Sequence, residues 1–160
     1  MINKDKQLIG AAGEHLVLSR LLARDLLASQ APRGTRKADI LVNPLDGGRP
    51  LLIQVKTRTG KPASLSWAMS SKSEMINEKD LFYCFVNLDL INPSVYVIPS
   101  KLVARVIKDT HEEWLSTPGK KGQAHNDNDM RRLMNDYGKN FKSVKPGWME
   151  KYLEAWDILK

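Results

Sequence analysis

The sequence predicts an α/β protein, a central β-sheet flanked by helices. Three observations carry that expectation. Residues 81–88 are an apolar run of strand length broken only at Asn87, the signature of a strand buried on both faces. Residues 38–42 and 51–58 read as two further strands separated by the turn Asn43-Pro44-Leu45-Asp46-Gly47-Gly48. Stretches at about 5–28 and 100–115 repeat apolar residues every three or four positions, the period of a helix laid on a sheet.

The elements follow in order. The first helix, about 5–28, presents Leu8, Ile9, Ala12, Leu16, Ser19 and Ala23, with Asn3 or Asp5 as its cap. Gly10-Ala11-Ala12-Gly13 is unusual inside it, because glycine costs roughly 1 kcal/mol against alanine in a helix. Small residues allow a close approach to a sheet, and Glu14 follows directly. Residues 29–36 hold a short strand and a turn punctuated by Pro32 and Gly34. The strand 51–58 returns antiparallel to 38–42. Residues 64–69 alternate Leu65, Trp67 and Met69 with small or polar residues, as another strand or edge segment would. A loop or short helix spans 71–79, then come the central strand 81–88, a turn at Asn92-Pro93 and a strand at 94–98. Ser100 is placed to cap the helix 100–115, which Thr117-Pro118-Gly119 ends. The rest reads as a helical extension of about 119–160, with a short helix near 129–136 and an amphipathic segment at 148–159 carrying Trp148, Tyr152, Leu153, Trp156 and Leu159.

A chain of 160 residues with 42% hydrophobic content fits one domain with a real core. Cys84 sits in an apolar run and is expected to be a core thiol. One cysteine suits a reducing compartment, and no apolar run reaches the length of a membrane span. A cytoplasmic protein without a signal peptide or membrane partner is the expectation. The net charge is +7, and it is uneven. Residues 1–62 carry 11 Lys/Arg against 5 Asp/Glu, whereas 63–160 carry 14 against 13. A basic half points to a polyanionic partner, with nucleic acid first.

Inside that basic half, polar groups border or interrupt strand-like segments. Asp39 opens Ile40-Leu41-Val42, and Gln54 and Lys56 interrupt Leu51-Leu52-Ile53-Gln54-Val55-Lys56-Thr57. Residues two apart on a strand share a face, so Gln54 and Lys56 project together while Val55 points into the core. A carboxylate, an amide oxygen and an ammonium at a sheet edge can hold a divalent cation and orient a water.

The set Glu14, Asp39 and Gln54-Val55-Lys56 resembles the PD-(D/E)XK, or restriction endonuclease-like, nuclease superfamily in a QxK variant. The resemblance covers about 8–107 and implies a core of helix, three-stranded meander, helix and further strand, with a mixed sheet. It implies a Mg²⁺-dependent (Mn²⁺ also possible) endonuclease hydrolysing phosphodiesters in DNA. Asp39 would be the first metal carboxylate, with the Val55 carbonyl completing the site and Glu14 matching an acid on the first helix. Lys56 would orient water or stabilise the phosphate. Gln54 stands where Asp or Glu is more frequent, and Ala38 stands where Pro is usual. Gln54 keeps an oxygen ligand but removes a charge, so one metal is expected rather than two.

Arg33, Arg36 and Lys37 precede Asp39, while Arg58 and Lys61 follow Lys56, and both groups are candidates for phosphate contact. Lys72, with Ser70 and Ser71, lies where the superfamily often touches the backbone. Lys120, Lys121, Arg131 and Arg132 form a second basic cluster, read as a solvated loop. His125-x-Asp127-x-Asp129 is read as a polar loop, and His111 lacks a zinc partner at helical spacing. Two other functions remain open: a non-catalytic nucleic-acid-binding module on the same fold, and a protein-interaction subunit. A homodimer would suit an enzyme that cuts both strands.

Overall fold

The computed structural model describes residues 5–60 and 65–160. A five-stranded mixed sheet forms its centre, flanked by helices as expected. The elements run α1 (Lys6–Leu22), β1 (Leu27–Gln30), β2 (Ile40–Asn43), β3 (Leu51–Arg58), β4 (Ser66–Ser70), a 3-10 turn (Ser71–Met75), β5 (Leu81–Asn87), β6 (Ser94–Pro99), α2 (Ser100–Ser116) and β7 (Met130–Met134). Two further 3-10 turns, Glu150–Tyr152 and Trp156–Leu159, follow. The spatial order is β1-β2-β3-β5-β6. β1, β2 and β3 form an antiparallel meander, β5 lies parallel to β3, and β6 returns antiparallel.

Two apolar clusters occupy the two faces. On one, Val17 and Leu21 of α1 meet Ile40, Val42, Ile53, Val55, Cys84 and Val97, closed below by Trp156 and Leu159. On the other, Tyr83, Phe85 and Ile98 meet Val103, Val106 and Ile107 of α2 together with Leu65, Trp67 and Leu133. All seven residues of β5 are buried, the six apolar ones from Leu81 to Val86 and Asn87 after them.

α1 begins at Asp5, whose carboxylate accepts the Gln7 N–H at 2.8 Å. The alternative cap Asn3 lies outside the described residues. The helix ends six residues earlier than the 5–28 expected, and its buried stripe is Gly13, Val17 and Leu21. Leu8 is exposed. The face is rotated because the helix lies on the sheet through glycine rather than leucine. A Cβ added to Gly13 would stand 1.9 Å from Thr57 Oγ1.

The C-terminal third departs most from expectation. Residues 130–134 are not a helix but β7, which pairs antiparallel with β4 in a second, two-stranded sheet. The helical extension over 119–160 is otherwise two short 3-10 turns and connecting chain. Arg131 is buried, and its guanidinium pairs with Glu74 and donates to the Asn128 carbonyl at 2.5 Å. It is neither a solvated loop residue nor a free cation. Around Glu154, held at φ +51°, the chain folds into the sheet edge: its carboxylate accepts from Arg20, from Val95 N–H and from the Trp156 indole. These long-range partners break any continuous helix over 148–159. Ser100 does not cap α2; the cap position is Pro99, and Ser100 Oγ donates to the Glu78 carbonyl at 2.7 Å.

Candidate functional site

β3 is longer than its neighbour on one side. β2 pairs only with Leu51, Leu52 and Ile53, while β5 accompanies β3 from Leu52 to Arg58. Residues 54–58 are therefore paired on one edge and free of β2 on the other. Asp39 stands at that opening, immediately before β2, with its N–H on the Ile53 carbonyl at 2.8 Å.

The carboxylate of Asp39 replaces the missing ladder partner. Its Oδ2 accepts the Val55 N–H at 2.7 Å and the Gln54 Nε2 at 2.6 Å. In an extended strand the N–H and C=O of one residue point to the same side, so the Val55 carbonyl also faces the Asp39 side. The Val55 side chain is buried in the α1-side cluster. Gln54 and Lys56 lie in register with Tyr83 and Phe85 and are half-buried on the opposite face. The alternation read from the sequence is thus present residue by residue.

Glu14 follows Gly13 on α1 and lies near enough to Asp39 for their charges to interact. Burial raises the Glu14 pKa, the Asp39 charge raises it further, and His15 partly offsets both. Asp39 is also raised, by burial first, against the opposing Val55 N–H and Lys56 charge. Two carboxylates that each resist ionisation, beside an ammonium, form a site where charge is held at a cost. The donor set of two carboxylates, one amide oxygen and one backbone carbonyl is all oxygen, which fits a hard divalent cation. Among the described residues no group of three His, Cys, Asp or Glu side chains stands within reach of one ion, so the amide and backbone oxygens would have to complete any coordination.

The basic residues divide. Arg33, Arg36 and Lys72 are exposed. Lys37 is in the left-handed region, φ +69°, and its ammonium pairs with Glu78. Arg58 turns back on its own chain, donating to the Thr59 carbonyl at 2.9 Å and the Ser66 carbonyl at 3.0 Å. Lys61 lies outside the described residues. His125, Asp127 and Asp129 do not converge: His125 stacks on Trp114, Asp127 accepts from His111, and Asp129 accepts from Ser71.

Sequence reasoning missed three residues around the site. Tyr83 sits beside Gln54 in the sheet, Ser73 hydrogen-bonds it, and Glu78 raises its pKa after burial, the larger cause. Glu78 also holds Lys37, two residues before Asp39. No sequence signal joins Glu78 to Asp39, since its contact with Lys37 crosses 41 residues.

No family model and no curated protein sequence matches the chain. Among solved structures, the chain is similar to a bacterial homing endonuclease with a TM-score of 0.54 at 14% identity, over 97% of this chain and 92% of that one. The chain shares the overall fold of that structure. The likeness extends beyond residues 8–107 and takes in most of the C-terminal third.

Proposed function

We propose that this chain is a metal-dependent DNA endonuclease of the restriction endonuclease-like type, hydrolysing phosphodiester bonds at the open edge of β3. The observation that supports the reading is Asp39 at that open edge, bonded to the Val55 backbone and the Gln54 amide, with the charges of Lys56 and Glu14 near enough to act on its carboxylate. Asp39, Glu14, the Gln54 Oε1 and the Val55 carbonyl would hold Mg²⁺ or Mn²⁺. A bound divalent cation would neutralise phosphate charge and acidify a coordinated water. Lys56 projects from the same face as Gln54, where its ammonium would orient the attacking water or meet the developing charge on phosphorus. Arg33, Arg36 and Lys72 would position the phosphate backbone without reading bases.

The fold of a homing endonuclease supports DNA as the substrate. One observation favours the second reading, a non-catalytic nucleic-acid-binding module: the Gln54 amide is already engaged on Asp39 Oδ2, where an acid would have repelled it. The deciding experiment incubates duplex, junction and single-stranded DNA with Mg²⁺ or Mn²⁺ and wild-type, Lys56→Ala or Asp39→Asn protein. The endonuclease reading expects metal-dependent products from the wild type alone. Undiminished cleavage by both variants overturns the site, and salt-sensitive retention without products selects the binding module.

A further inference from the structure

A cavity of about 330 Å³ lies between α2, β7 and the segment that follows β7. Its walls include Trp114 from α2 and Tyr137 and Phe141 from the C-terminal segment, the last two with ring centroids 5.3 Å apart. Hydrogen bonds hold these walls in place. The Tyr137 hydroxyl donates to the Arg132 carbonyl at 2.8 Å and accepts the Met134 N–H at 3.2 Å. His111 Nε2 is 2.7 Å from Asp127 Oδ1, and Trp114 is backed by His125 at 4.1 Å between centroids. The rings are therefore set before any ligand arrives. The exposed Arg132 brings the cationic side chain to the lining.

We propose that this cavity receives a single unpaired nucleobase, with its phosphate on Arg132. The size fits one ring system, being at the small end of ligand pockets, roughly 300–1,000 Å³. Aromatic walls offer a base its π-face irrespective of sequence, and a cation at the mouth complements the phosphate. The location supplies the path. Ser70 pairs with Met130, and Ser71 Oγ bonds Asp129, so the pocket adjoins the turn that carries the exposed Lys72. Ser73 of the same turn hydrogen-bonds Tyr83, the neighbour of Gln54. The proposal takes the nucleic-acid strand from β3 across this turn, past Lys72, to the cavity. The inference rests on the proposed function only in taking nucleic acid as the partner.

The test uses full-length Lys56→Ala protein, so that no oligomer is consumed. Anisotropy compares a short labelled oligothymidylate with an abasic oligomer of equal length and charge. The base-bearing oligomer should bind roughly tenfold or more tightly. Phe141→Ala should erase that preference, Phe141→Tyr should retain it, and Arg132→Gln should weaken both oligomers alike. Equal binding of the two oligomers, a preference that survives Phe141→Ala, or no binding of either overturns the proposal. Metal-dependent cleavage of duplex by the wild type is read in parallel. Cleavage without base preference overturns the pocket alone, and base preference without cleavage overturns the endonuclease reading alone.

Discussion

Gly13→Ala adds one methyl group where α1 meets β3. That Cβ would fall 1.9 Å from Thr57 Oγ1, 2.7 Å from Cγ2 and 2.8 Å from Cβ. Ordinary contact lies at roughly 3.5 Å, so about 1.6 Å must be found. Rotating Thr57 cannot supply it, because both branches and the Cβ itself are too close, and the helix must retreat. Overpacking of this kind costs about 1–3 kcal/mol, against about 1 kcal/mol gained in helix propensity. The approach is severe enough to place the cost at the upper end, giving a net loss of about 2 kcal/mol. With an m-value of about 2 kcal/mol/M, the urea midpoint should fall by about 1 M. Gly10→Ala is the internal control: a Cβ there meets nothing within 4 Å, so it should gain up to about 1 kcal/mol. Thr57→Ala in the Gly13→Ala background removes the two shorter contacts but leaves the 2.8 Å contact between the Cβ atoms, so it should recover only part of the loss. Equal stabilisation by Gly13→Ala and Gly10→Ala would refute the close approach, and with it the route by which Glu14 reaches Asp39.

Asp39 separates stability from chemistry. Its folded pKa is raised, so its contribution is full below the unfolded value and is lost as pH rises through the folded one. Asp39→Asn keeps an acceptor for Val55 N–H and should melt no lower than wild type at pH 7, with a flatter pH dependence on the acid side. Asp39→Ala orphans that N–H and should cost about 1–3 kcal/mol in the same thermal scans. Glu74→Gln removes the nearer carboxylate from the buried Arg131 and leaves it Asp127 at 3.7 Å, so the cost by chemical denaturation should be about 3 kcal/mol, the low end for breaking a buried pair. Cys84 is fully buried with its thiol pKa pushed far up, so it should resist thiol reagents until global unfolding. Rapid labelling in native buffer would contradict that burial.

What was legible in the sequence was local. The period-two pattern of β3, the apolar run of β5 and the hairpin turn between β2 and β3 each lie within a dozen residues, and the sheet follows from them. Gln54, Lys56 and Val55 could be assigned faces because alternation is a property of the strand alone. The close approach of α1 to the sheet is legible in its glycines, but its buried face is not: the periodicity of Leu8 and Leu16 competes with a stripe whose key member, Gly13, has no side chain. β7 was hidden for the opposite reason. Its buried positions are Arg131 and Leu133, and an arginine inside a core makes sense only beside Glu74, 57 residues earlier. Tyr83, Ser73 and Glu78 escaped because their link to Asp39 runs through strand order.

The β4–β7 ladder also has a bearing on how the chain is made. Ser70 pairs with Met130, and every residue between them must be synthesised before the ladder can close. At about 5–20 residues per second, that is a delay of roughly 3–12 seconds after β4 emerges from a ribosome. During it Leu65, Trp67 and Met69 have no strand beside them, and β4 presents an unpaired apolar edge of the kind that recruits other chains. The nascent protein is most prone to aggregation in that interval, and any truncation before Met130 would make the interval permanent.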